Sequence, residues 1–187
     1  MVGALRGKLL KKEGTKAYID VSGIVFEVNC DLFSLDEFEE GKDVFVHTVT
    51  VINQDEMSLF GFSNEERKFL FQKLIQVSKL GPKTALKILS NSDVSEIASL
   101  IVSGDVEKLS RIPGVGRKTA ERIVAELKDE VKEIASKKVM GIMEAIEALT
   151  ALGYPESVAR KCVRKVAKPG MEVSEIIRNA LKEMAKL

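Results

Sequence analysis

Two segments thirty-five residues apart carry the residue types that hold phosphate oxygens. Val77, Leu80, Gly81, Lys83, Thr84, Ala85, Lys87 and Ile88 return as Ile112, Val115, Gly116, Lys118, Thr119, Ala120, Arg122 and Ile123. Upstream, Lys73 and Leu74 return as Lys108 and Leu109. In each copy a glycine precedes Lys-Thr-Ala and then a run of apolar residues at helical spacing. A helix that begins just after glycine offers unpaired amides and the positive end of its dipole, which suits an anion. Lysine adds charge and threonine a hydroxyl, and contacts of this kind to phosphate carry no sequence information. The candidate set is Gly81, Lys83 and Thr84 in the first copy, and Gly114, Gly116, Lys118 and Thr119 in the second, with Lys79, Arg117 and Arg122 as neighbouring cations.

Other glycine chemistries do not fit. A nucleotide-binding P-loop needs glycine followed directly by lysine, with another glycine five positions earlier. Here Arg117 separates Gly116 from Lys118, and Arg111 stands at the earlier position. A dinucleotide fingerprint would place its third glycine at Thr119, and no strand pattern precedes the turn. The chain therefore shows no site for nucleotide hydrolysis.

Positioning these groups requires a helix on each side of a tight turn, used twice as one supersecondary unit. The turns are Leu80-Gly81-Pro82 and Pro113-Gly114-Val115-Gly116, with Pro82 suited to a first helical turn. This arrangement resembles the helix-hairpin-helix motif of DNA-binding proteins, which the segment Ile112 to Ala120 matches in full. The first copy departs from it, because Lys79 occupies the place of the first glycine, and a less regular first turn is expected. Helix-hairpin-helix DNA glycosylases are an alternative, with Lys118 at the place of their catalytic lysine. Their further carboxylate would fall near Ala135, Ser136 and Lys137, where there is none, and the two cysteines cannot form their iron–sulfur cluster.

Composition frames the rest. The 187 residues are 45% hydrophobic and contain no Trp, enough for small compact cores but poor in stacking platforms for single strands. No signal peptide and no membrane-length apolar segment are read. Cys30, Cys162 and the single His47 give neither a disulfide framework nor a metal site, so no metal or cofactor and a reducing, cytoplasmic setting are expected. The formal charge of +1 is uneven: residues 1–62 hold six Lys and Arg against eleven Asp and Glu, whereas residues 136–187 hold ten against six. The basic surface must then be local to the hairpins.

Residues 1–62 read as five strands, Ala4–Leu10, Lys16–Val21, Ile24–Asn29, Val44–Val51 and Met57–Phe62, with a hairpin turn at Ser22-Gly23 and a helix-prone insert at Leu35–Glu40. That pattern suits a five-stranded OB-type barrel. Ser63, with Glu66 three residues on, predicts the first helix start as a capping box. Residues 63–132 form the hairpin domain, 133–139 read as a flexible linker, and 140–187 as three helices near Gly141–Leu152, Pro155–Ala167 and Ser174–Lys186. The fold expected is α+β and multidomain: barrel, all-α domain with two helix-hairpin-helix motifs, and a three-helix (UBA-like) bundle.

Over its whole length the chain resembles the RuvA family of Holliday junction recognition subunits. Leu59-Phe60-Gly61-Phe62 leads from barrel to helices, and the order of parts agrees. The resemblance implies a non-catalytic DNA-binding subunit that forms a homotetramer, or a face-to-face octamer, on four-way junction DNA. It implies that the RuvB hexameric ATPase drives branch migration, with the RuvC resolvase as a further partner, in recombination and DNA repair. It assigns Asp55 and Glu56, at the tip between the last two strands, as an acidic pin at the crossover, Gln54 replacing the family's first acidic member. It assigns Leu149, Leu152, Tyr154 and Leu181 as RuvB contacts.

Overall fold

Alternating apolar residues curl the first third of the chain into a closed barrel. The computed structural model describes residues 1–53, 56–167 and 171–185, and of 137–140 and 164 only the backbone. Strands β1 (Ala4–Glu13), β2 (Lys16–Val21), β3 (Ile24–Cys30), β4 (Asp43–Ile52) and β5 (Met57–Phe62) close in the order β1-β2-β3-β5-β4. All pairings are antiparallel except β3 with β5. Every second side chain, among them Leu5, Leu9, Ile19, Val28, Val44 and Val46, fills the interior. Ser22 and Gly23 take φ of 55° and 92°, the paired positive values of a two-residue hairpin turn. His47 lies edge-on to Phe45, ring centroids 5.0 Å apart, as a structural residue of β4.

The helical insert, α1 (Leu32–Glu37), begins three residues earlier than expected because Asp31 caps it, its Oδ1 accepting from the Ser34 amide at 3.2 Å. Burial beside Asp31 pushes the Cys30 thiol up to about 12, so at neutral pH it is an inert apolar filler.

Five helices follow: α2 (Glu65–Leu74), α3 (Pro82–Leu89), α4 (Val94–Ser103), α5 (Val106–Ser110) and α6 (Arg117–Leu127). The cap of α2 is Asn64, not Ser63: Asn64 Oδ1 accepts from the Arg67 amide at 3.0 Å, while the Ser63 amide donates to Ser34 Oγ at 3.0 Å. Both residue types cap well, and the bond to α1 claims Ser63 for the domain joint. Phe60 and Phe62 leave the barrel and pack with Phe71 in the helical core, so β5 belongs to both layers.

That joint also holds a buried ion cluster. Arg67, 2% exposed, donates to Asp31 Oδ1 at 2.8 Å and to the Leu89 carbonyl at 3.2 Å, and it lies 3.6 Å from Asp93 Oδ1. Its guanidinium sits 4.6 Å from the centre of the Phe33 ring. Asp31 and Phe33 come from the barrel side, whereas Arg67, Leu89 and Asp93 come from the helices. The cluster therefore fixes the orientation of one on the other.

Helix α7 runs unbroken from Lys132 to Ala151, so the segment 133–139, expected as an interruption, is helical. It contains no glycine or proline, and it starts from Val131 and Ile134, which are anchored in the helical core. Gly141, the expected helix start, lies inside α7. With α8 (Glu156–Val166) and α9 (Val173–Met184), the second half of α7 packs as a three-helix bundle around Ala145, Leu149, Cys162, Val163 and Ile176. Among the described residues no helix is long and apolar enough to cross a membrane.

Candidate nucleic-acid interface

The two hairpins have the same backbone. In the first, the Leu80 amide donates to Val77 O at 3.0 Å and the Ala85 amide to Gly81 O at 3.0 Å. In the second, the Val115 amide donates to Ile112 O and the Ala120 amide to Gly116 O, both at 2.9 Å. Gly81 (φ −83°, ψ 164°) and Gly116 (φ −79°, ψ 164°) are superposable N-cap residues. Lys79, expected to distort the first turn, instead adopts φ 65°, the left-handed conformation of its counterpart Gly114 at φ 89°. The motif is regular in both copies, and the first carries a strained lysine. Lys79→Gly is expected to raise stability by about 0.5–1 kcal/mol, read as a higher urea midpoint with unchanged m.

Capping separates the hairpin helices from their neighbours. Asn64, Asp93 and Asp105 cap α2, α4 and α5 with side-chain oxygens, whereas α3 and α6 begin at glycine with no side-chain cap. A Cβ on Gly81 or Gly116 would meet no protein atom within 4 Å, and neither residue has positive φ. Glycine is tolerated as an N-cap, and here it also leaves the space in front of the first-turn amides open. The uncapped amides of Lys83 and Lys118 lie at that opening.

Charge follows the same division. Lys73, Lys108, Arg111 and Arg117 are paired, with Glu130, Asp105, Glu107 and Glu121 respectively. Lys79, Lys83, Lys87 and Lys118 are exposed and have no carboxylate partner among the described residues. Thr84 and Thr119 are half-buried at the first turns of α3 and α6. Arg122 is half-buried too and spends one guanidinium nitrogen on the Ser78 carbonyl of the other hairpin, at 3.4 Å. The two helix starts thus belong to hairpins in contact with each other, the first with Lys79, Lys83 and Lys87 around it and the second with Lys118, none of which pairs with a carboxylate among the described residues.

The remaining expected site residues are more dispersed. Asp55 lies outside the described residues. Glu56 is exposed at the β4–β5 tip, where its Oε1 accepts from Ser58 Oγ at 2.8 Å and its carbonyl from the Asn53 amide at 2.9 Å. In the bundle, Leu152 (65% exposed) and Tyr154 (37%) project from the α7–α8 turn. Leu149 is fully buried and Leu181 half-buried against the same core. Leu149 thus supports the bundle from inside, in the core that α7 shares with α8 and α9. A groove of about 560 Å³, lined by Met143, Ile146, Glu147, Thr150 and Arg160, opens between α7 and α8. Sequence reasoning missed the Arg67 cluster, although Arg67 falls on the Leu70, Phe71 and Leu74 stripe of α2, a pattern that marks a buried cation.

An OB-type barrel locked to paired helix-hairpin-helix units, with a small helical bundle beyond, defines the class of proteins that grip a nucleic-acid backbone without reading bases. Family models match in the same order: RuvA N terminal domain over residues 1–61, SAM-like helix-hairpin-helix tandem over 71–129, and RuvA C-terminal domain over 142–185. The chain is 48% identical over 187 residues to the Holliday junction branch migration complex subunit RuvA of Thermotoga petrophila, with all of both chains covered. It is 36% identical over 203 residues to the protein of the same name from Vibrio parahaemolyticus, covering 98% of this chain and all of the relative. The chain belongs to the RuvA family.

Proposed function

We propose that this protein is the junction-binding subunit of a branch migration complex. It holds four-way DNA by phosphate contacts from the two hairpins and brings an ATP-driven motor to it. The observation that carries the reading is the pair of uncapped glycine helix starts, open to solvent, each with an exposed first-turn lysine, Lys83 or Lys118, that pairs with no carboxylate among the described residues. Contacts of this kind are blind to sequence, as a crossover that moves along DNA requires. The subunit itself is not an enzyme, and the work of separating bases comes from the motor. Lys79, Gly81, Lys83, Thr84, Gly114, Gly116, Arg117, Lys118, Thr119 and Arg122 form the DNA surface. Asp55 and Glu56 form a pin whose charge keeps phosphates out of the crossover. The RuvB ATPase docks on the bundle through Leu152 and Tyr154, with RuvC as a later partner. The protein works in the cytoplasm as a homotetramer, or as two tetramers face to face.

A gel-shift comparison of a four-way junction with linear duplex of equal length tests this reading. Preference for the junction is expected at salt that releases the duplex, and a chain cut after residue 139 is expected to keep that preference while losing motor-driven migration. Equal affinity for the two DNAs would sink the reading. A covalent adduct with damaged duplex, trapped by borohydride through Lys118, would favour a glycosylase instead.

A further inference from the structure

The hairpins touch each other reciprocally. Lys87 and Arg122 are equivalent residues of the repeat, each one helical turn beyond the first-turn lysine of its helix, Lys83 or Lys118. Arg122 of the second hairpin reaches Ser78 in the turn of the first. Lys87 of the first lies against the turn of the second, its Cδ 4.0 Å from where a Cβ on Gly114 would stand, beside Thr84 Cγ2 at 3.9 Å. The equivalence stops at the charges. Arg122 is half-buried and bonded within the protein, whereas Lys87 is exposed and no carboxylate pairs with it among the described residues.

We propose that Lys87 is a further phosphate contact, at the seam between the two hairpins, for the DNA bound in the function proposed above, on which this inference rests. Its stem lies beside the Gly114 turn and the residue is exposed, so its charge stands where the two hairpins meet. Lys83 and Lys87, four residues apart, share one face of α3 and extend the positive surface from the first opening toward the second. The sequence motif alone passes over Lys87, because its helix-hairpin-helix residues end at Ala85 and Ala120.

The test is the salt dependence of binding to a labelled four-way junction, followed by fluorescence anisotropy with the full chain. Lys87→Met keeps an apolar stem on the Gly114 turn and removes only the charge, and Lys87→Arg keeps the charge. The slope of log K against log salt is expected to become shallower in Lys87→Met by about 0.9 for each subunit on the junction, about 3.6 for one tetramer, and to stay at the wild-type value in Lys87→Arg. Over a fourfold rise in salt, wild type should weaken about 3.5-fold more than Lys87→Met for each contacting subunit, about 150-fold for one tetramer. Wild-type binding with an unchanged Lys87→Met slope overturns this inference alone. Failure of the wild type to bind the junction overturns the functional reading as well.

Discussion

Valine at both Gly81 and Gly116 is expected to abolish tight junction binding in a protein that still folds. The backbone at both positions is extended (φ −83° and −79°, ψ 164°), a conformation open to any residue. The added side chains meet no protein atom at their Cβ, so the cost is confined to the poorer N-cap, at most about 1 kcal/mol at each helix. On the DNA side, each valine stands between the first-turn amides and a phosphate. Losing one charge-assisted hydrogen bond of about 1.5–3 kcal/mol at each hairpin gives about 3 kcal/mol or more, over 100-fold in affinity. Circular dichroism and a junction titration on the same sample separate the two effects. A double variant that folds and binds as tightly as wild type would show that DNA does not approach through these turns.

Replacing Arg67 with alanine is expected to produce the largest loss of stability of any single change in the barrel–helix joint. The alanine variant leaves Asp31, 0% exposed, as a buried carboxylate whose cationic partner is gone, with only the Ser34 hydroxyl and amide to hold it. Breaking such a pair from one side costs about 3–5 kcal/mol, enough to unfold a marginal domain. Arg67→Met combined with Asp31→Asn removes both charges, keeps an acceptor for the Ser34 amide at the α1 cap, and should recover part of the loss. Urea denaturation of the three proteins measures this. An Arg67→Ala midpoint within experimental error of wild type would show that the cluster is not what joins the barrel to the helices.

The elements that position the hairpins were legible because they are periodic. All five strands fall where alternation places them, and the repeat aligns residue by residue with two superposable turns. What escaped depends on contacts that no local pattern records. Lys79 in a glycine position suggested a looser turn, yet the surrounding hydrogen bonds hold the lysine left-handed. Asn64 caps α2 in place of Ser63, whose amide and hydroxyl both face Ser34 of α1, far earlier in sequence. The stretch 133–139 is rich in charge, but Ile134 and Ala135 are anchored in the helical core, and α7 runs through it. Leu149 and Leu152 look alike in sequence, and only the fold of α7 on α8 buries the first and exposes the second. Lys87 was part of the repeat from the start, but its place on the Gly114 turn follows from how the two copies face each other.

That facing bears on strand direction. Reciprocal contact, with Arg122 on the turn of the first hairpin and Lys87 on the turn of the second, is the signature of a local dyad, whereas copies repeated head to tail would touch in one sense only. The two strands of a duplex are also related by dyads, because they run antiparallel. In the complex proposed above, the paired turns would meet the two strands with equivalent backbone geometry, though not equivalent charge, and that backbone has no preferred polarity. One arm of a junction could therefore be drawn through it in either direction without the hairpins distinguishing forward from back, and the sense of travel would be left to the motor.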